Sequence, residues 1–101
     1  MNDLEMHGWE LGPGMEPPPC VVDIRTEDQF IRGHLPGAMH LSYNQFQAEA
    51  VRVLSKFPWI VVVDAAGARA AEMAVWARTR GIHARYLVGG MAGWRGVLER
   101  Q

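Results

Sequence analysis

The chain has a single cysteine, Cys20, in 101 residues. An internal disulfide is therefore impossible, and neither a C-x-x-C redox pair nor a zinc-binding pattern of cysteines and histidines is present. The four histidines, His7, His34, His40 and His83, are scattered and form no i, i+4 pair. No metal site and no other cofactor is expected. Charge of one sign is lacking as well. Ten basic residues stand against eleven acidic ones, a formal net charge of -1. A nucleic-acid partner would call for a basic stripe, so none is expected. No apolar run approaches the roughly 20 residues of a membrane-spanning helix. The start, Met1-Asn2-Asp3-Leu4-Glu5, is acidic and does not read as a signal peptide. The expectation is a chain of a reducing compartment, the cytoplasm, with no membrane partner.

What is there is one domain's worth of sequence, enough to bury roughly two-thirds of its unfolded surface around one core. Residues 1–19 are the least regular part. Leu4, Met6, Trp9 and Leu11 suggest a short edge strand, Gly12-Pro13-Gly14 breaks it, and Pro17-Pro18-Pro19 excludes a helix or a central strand. We read residues 1–19 as an arm and residues 20–101 as the domain proper. Cys20 to Ile24 is an apolar run interrupted only by Asp23, the pattern of a strand buried on both faces. Thr26-Glu27-Asp28-Gln29 is a capping box and starts a short helix that Gly33 ends. After the loop from Gly33 to Ala38, Met39-His40-Leu41 is a short strand. Ser42-Tyr43-Asn44-Gln45 is a second capping box, opening a helix to about Lys56. Its apolar face carries Phe46, Ala50, Val53, Leu54 and Phe57. Ile60 to Val63 is the central strand, about Ala70 to Arg80 a helix capped by Gly81, and Ala84 to Val88 the last strand. Met91 to Gln101 reads as short helical pieces with Trp94 as a core anchor. Strands alternating with helices predict an α/β domain with a mainly parallel sheet and right-handed crossovers.

In such a sheet, ligands sit at the carboxyl ends of the strands. The candidate is the turn after the central strand, Asp64-Ala65-Ala66-Gly67-Ala68-Arg69. Its backbone N–H groups, together with the helix N-terminus, favour an anion. Its first residue, however, is itself a carboxylate.

Three segments together resemble the rhodanese-like domain family. Val22-Asp23-Ile24-Arg25 with Glu27 and Phe30 is similar to its D-V-R-x-x-x-E-F opening. Gly33-His34-Leu35-Pro36-Gly37-Ala38 is similar to its G-H-I-P-G-A loop. Gly89-Gly90-Met91-Ala92-Gly93-Trp94 is similar to its G-G-x-x-x-W close. They come in the family's order and span about Cys20 to Trp94. The resemblance implies a mainly parallel five-stranded sheet flanked by helices. It also implies an ancestral sulfurtransferase chemistry, in which a loop cysteine accepts a sulfane sulfur as a persulfide and passes it on. The family's C-x-x-G-x-R loop corresponds to Asp64 through Arg69. Gly67 and Arg69 match, and the nucleophile position holds Asp64.

A carboxylate forms no stable persulfide, whereas a thiol ionises easily and is intrinsically nucleophilic. Asp64 also repels an incoming anion, by roughly 4 kcal/mol per charge at about 4 Å and an effective dielectric near 20. The loop N–H groups that would hold a sulfur donor are free to hold the oxygens of Asp64 instead, so we expect a self-capped loop. Cys20 opens its strand and so lies on the order of 15 Å from the loop, given about 3.3 Å per residue. It reads as a small packed residue. Asp64 as a nucleophile in its own right is the remaining enzymatic option, since carboxylates do act covalently. Ala65, Ala66 and Ala68 offer no side-chain donor beside it, and Arg69 is a candidate ion-pair partner. Asp23, Arg25, His34, Gly37, Gly89, Gly90 and Trp94 read as structural support for the surrounding loops, with His40 at a strand edge. Trp59 and Trp76 read as packing residues.

Two function classes follow. In the leading one the domain has lost sulfur transfer and acts as a binding or regulatory module for a protein or a small sulfur-containing ligand. In the other it is a sulfurtransferase-related enzyme working through Asp64 or a partner's cysteine.

Overall fold

In the computed structural model, which describes residues 3–100, the apolar run Ile60–Val63 (β4) is buried along its whole length. A strand between two others must bury both faces, which is why it reads Ile-Val-Val-Val. Its neighbours are Cys20–Asp23 (β2) on one side and Ala84–Leu87 (β5) on the other. The edges are the two-residue strands Glu5–Met6 (β1), beside β5, and Met39–His40 (β3), beside β2. All pairings are parallel, in the order β1-β5-β4-β2-β3. The parallel sheet expected from the alternation of elements is thus present, with the five strands that the family resemblance implies. The edge strand suggested near Leu4 and Met6 is β1, and Trp9 lies in the 3₁₀ turn Gly8–Glu10 that follows it.

Three helices connect the strands: Glu27–Arg32 (α1), Tyr43–Leu54 (α2) and Ala68–Thr79 (α3). Both capping boxes form. Gln29 Oε1 accepts from the Thr26 N–H and the Gln29 N–H donates to Thr26 Oγ1, while Gln45 Oε1 accepts from Ser42. On one face of the sheet, Phe46, Ala50 and Leu54 of α2 and Ala70, Met73, Ala74 and Ala77 of α3 pack on Val22, Ile60, Val62 and Ala84. The other face carries a smaller cluster, Met6, Leu35, Val61, Val63 and Leu87, closed by Leu11, Met15, Trp59, Met91 and Trp94. The residues after the first edge strand therefore serve as a lid on the second core.

Three boundaries differ from the sequence expectation. Helix α2 stops at Leu54 rather than near Lys56, because the chain turns at Ser55 to reach Pro58. Helix α3 begins at Ala68, earlier than Ala70, because the loop before it is capped from within. The expected helical pieces from Met91 to Gln101 reduce to one 3₁₀ turn, Gly90–Gly93. Trp94 turns into extended backbone, and its indole Nε1 donates to the Val97 carbonyl at 3.0 Å, which bends the chain away from a helix. Met1 and Asn2 at the start of the arm, and Gln101, lie outside the described residues.

Candidate functional site

The turn after β4 is built around the Asp64 side chain. Asp64 is 7% exposed. Its Oδ1 accepts from the Gly67 N–H at 2.5 Å, and its Oδ2 from the N–H groups of Arg69 at 2.9 Å and Ala70 at 3.0 Å. These are donors that the start of a helix leaves without intrahelical partners. A carboxylate is an acceptor with no proton of its own to place, so it suits three converging donors. The self-capped loop expected from the sequence is the geometry observed.

The backbone of the same loop is clamped from the neighbouring strand end. The Met91 N–H donates to the Asp64 carbonyl at 2.8 Å, and the Ala92 N–H to the Ala65 carbonyl at 2.9 Å. This approach explains two glycines. Gly67 has φ +115, and a Cβ there would lie 3.2 Å from the Gly89 nitrogen. Gly90 has φ +56, and a Cβ there would lie 2.5 Å from the Asp64 carbonyl oxygen. Both are backbone positions that only glycine occupies without strain. Sequence reasoning placed Gly89, Gly90 and Trp94 as support but missed that Met91 and Ala92 do the clamping, since backbone donors leave no mark on residue type.

In front of the loop lies a cavity of about 420 Å³, lined among others by Ile24, Arg25, Gln29, Tyr43, Ala65, Ala66, Ala68 and Arg69. Its two cations are differently employed. Arg25 is tied down: Nη2 reaches Asp23 Oδ2 at 2.7 Å and the Gly33 carbonyl at 2.7 Å, and Nε bonds Asp23 Oδ1 at 3.0 Å. Asp23 is 1% exposed, and Arg25 ties it to the Gly33 loop. Arg69 is not the ion-pair partner proposed for Asp64. Its guanidinium lies 4.7 Å over the Tyr43 ring, and among the described residues it makes no ion pair. The reason is local. At the helix start the Arg69 backbone faces Asp64 while its side chain projects outward. Tyr43 in turn donates its hydroxyl to Glu72 Oε1 at 2.9 Å, and that bond holds the Tyr43 phenol above its usual pKa.

His34 and His40 both serve the frame. His34 is buried, stacks on Phe30 with ring centroids 3.9 Å apart, and its Nδ1 meets the Phe30 carbonyl at 2.8 Å. A carbonyl only accepts, so Nδ1 carries the proton. His40 Nε2 bonds the Arg25 carbonyl at 2.8 Å. Gly37 donates its N–H to Glu99 Oε1 at 2.9 Å, a partner from the far end of the chain that no local signal could reveal. Cys20 pairs in register with Ile60, four residues before Asp64, so it sits on the order of 13 Å from the loop at about 3.3 Å per residue. Burial pushes its thiol up from an ordinary 9.0, away from the reactive thiolate. Among the described residues no cluster of three or more His, Cys, Asp or Glu side chains is arranged to hold a metal, and no helix is long and apolar enough to cross a membrane.

A strand-loop-helix turn of this form, between a G-H-L-P-G-A loop and a G-G-x-x-x-W clamp, can be compared with known proteins. The family model for the rhodanese-like domain matches residues 10–96. The chain belongs to the rhodanese-like domain family. This rhodanese-like domain is 36% identical over 80 residues to the uncharacterized Escherichia coli K12 protein YibN, covering 75% of this chain and 55% of YibN. It thus spans about half the length of that relative. Among solved structures, it resembles a rhodanese-like domain protein from Staphylococcus aureus with a TM-score of 0.83 and 25% identity, covering 96% of this chain and 97% of the other. The rhodanese-like domain of the Alr3790 protein from Anabaena sp. aligns with a TM-score of 0.85 over 99% of this chain and 81% of the other, at 24% identity, a likeness of fold.

Proposed function

We propose that this rhodanese-like domain carries no sulfur-transfer chemistry of its own and acts as a binding or regulatory module, in the cytoplasm, for a protein or a small sulfur-containing ligand. The observation that carries this reading is the Asp64 carboxylate seated on the N–H groups of Gly67, Arg69 and Ala70. A sulfurtransferase needs those donors for the sulfur and its charge, and a thiolate at the position that opens the loop. Here the donors are taken and the thiolate is replaced. Asp64 then stands at the nucleophile position without acting as one. Ala65, Ala66, Ala68 and Arg69 form one wall of the cavity, and Gly67 shapes the loop behind them. In this reading the arm of residues 1–19 works as cover for the domain of residues 20–101 rather than as a unit of its own.

Thiosulfate-to-cyanide turnover is the direct test. The wild type is expected at background. Turnover that survives Cys20→Ser but not Asp64→Ala would instead support chemistry through Asp64. The complementary test is Asp64→Cys. The new thiolate attacks the outer sulfur of thiosulfate, an S–S bond forms to the protein, and sulfite leaves with the electron pair of the bond that breaks. Intact-protein mass spectrometry is expected to show a gain of one sulfur in the variant and none in the wild type. A variant that folds but gains no sulfur would show that the loop is unfit for sulfur apart from its nucleophile.

A further inference from the structure

A second site lies on the far side of Arg25, where residues 97–100 lie against the Gly33 loop. Residues 97–100 run antiparallel to that loop as a single bridge. The His34 N–H donates to the Glu99 carbonyl at 2.9 Å and the Glu99 N–H to the His34 carbonyl at 2.8 Å. Three side chains add specific contacts. Glu99 Oε1 accepts from the Gly37 N–H at 2.9 Å and lies 3.8 Å from Nε2 of the buried His34. Arg100 Nε donates to the Arg32 carbonyl at 2.9 Å. Leu98 covers Gly33 so closely that a Cβ there would meet its Cδ1 at 3.1 Å.

The centre of the seat is buried, while its occupant is exposed. His34 and Gly33 are buried, while every residue from Arg95 to Arg100 is exposed, with Val97 at 75% and Leu98 at 40%. The seat offers one paired N–H and C=O, a glycine hollow sized for a leucine, a free N–H for a carboxylate and a terminal carbonyl for a cation. That is strand addition with side-chain selection, the way extended peptides are read by short stretches of exposed backbone.

We propose that the Arg32–Gly37 segment is a docking site for an extended partner peptide of the pattern leucine, acidic residue, basic residue, and that residues 98–100 mask it in cis. The occupant is specified by the segment already seated there. A partner with the same three side chains makes the same bonds and competes for them with the exposed residues 98–100. Docking is communicated to the cavity, because the Gly33 carbonyl is also a ligand of the Arg25 guanidinium. The proposal is independent of whether the Asp64 loop turns over.

The test uses the full chain labelled with ¹⁵N and a synthetic peptide of the sequence of residues 94–101. In the Glu99→Ala variant the strap loses its carboxylate contact. The peptide is expected to shift the amide signals of Gly33, His34 and Gly37, with an affinity about tenfold higher than for the wild type, as loss of one charge-assisted hydrogen bond in the competing strap implies. The same peptide with glutamine in place of its glutamate is expected to bind about tenfold more weakly. A second variant, Leu98→Ser, loosens the strap without touching the carboxylate and is expected to behave like Glu99→Ala. Equal binding of both peptides, or no shift at these three amides in either variant, overturns the proposal. So does self-association of the variants by sedimentation, which would make a second copy of the chain the occupant.

Discussion

Replacing Asp64 by alanine removes the acceptor of three backbone donors at once. Two of them, the N–H groups of Gly67 and Ala70, are in buried bonds, and that of Arg69 is partly buried. An orphaned buried donor costs about 1–3 kcal/mol. Ala65, Ala66 and Ala68 are exposed, so water reaches the emptied loop and the low end of that range applies to each donor. The expected destabilisation is about 3 kcal/mol, a large share of the roughly 5–15 kcal/mol of a typical domain. For a domain of this size that corresponds to a Tm lower by about 12–24 °C. Urea unfolding followed by tryptophan fluorescence measures it, with an unchanged m-value showing that the native state is otherwise intact. Asp64→Asn retains one acceptor oxygen and is expected between the two. The emptied loop should also become an anion site. Sulfate is expected to raise the stability of Asp64→Ala by up to about 2.7 kcal/mol at a hundredfold excess over its Kd, and to leave the wild type unchanged. An alanine variant within about 0.5 kcal/mol of wild type, or equal stabilisation of both proteins by sulfate, would refute a carboxylate-capped loop.

Other outcomes follow from the same geometry. Gly90→Ala drives a Cβ into the Asp64 and Ala65 backbone at 2.5 and 2.7 Å and meets a left-handed φ; a loss of more than about 3 kcal/mol is expected, read by denaturant titration or as loss of soluble protein. Cys20 keeps its proton more tightly folded than unfolded. Its contribution to stability is therefore full below the unfolded thiol's pKa and declines as pH rises through the folded one. Alkylation of the native protein near pH 8 should be slower than of the urea-unfolded chain, and Cys20→Ala should flatten the alkaline decline. The hydrogen bond to Glu72 raises the phenol of Tyr43, so Glu72→Gln is expected to lower the Tyr43 titration midpoint, measured by ultraviolet absorbance. Because the pair is exposed, stability should be essentially unchanged.

Much of this molecule is written in local patterns. The unbroken apolar runs at Val21–Val22 and Ile60–Val63 required strands buried on both faces, and two capping boxes marked the starts of α1 and α2 within a residue. Those patterns fixed the alternation of elements, hence the parallel sheet and the place of the turn after β4. These features are legible because period, turn chemistry and capping act over a few neighbouring residues.

Tertiary structure decided the rest. Which donors Asp64 takes, and that Arg69 turns to Tyr43 instead of to it, depend on the curl of one backbone turn and on α2 lying alongside. Met91 and Ala92 clamp the loop through N–H groups that every residue but proline possesses. Glu99 reaches Gly37 across 62 positions of sequence. The sequence alone therefore determined the fold, because its patterns are local in residue type. Only the folded chain could close the loop with its own carboxylate and lay its end across the Gly33 loop. Backbone donors and distant partners carry no signature until the sheet brings them together.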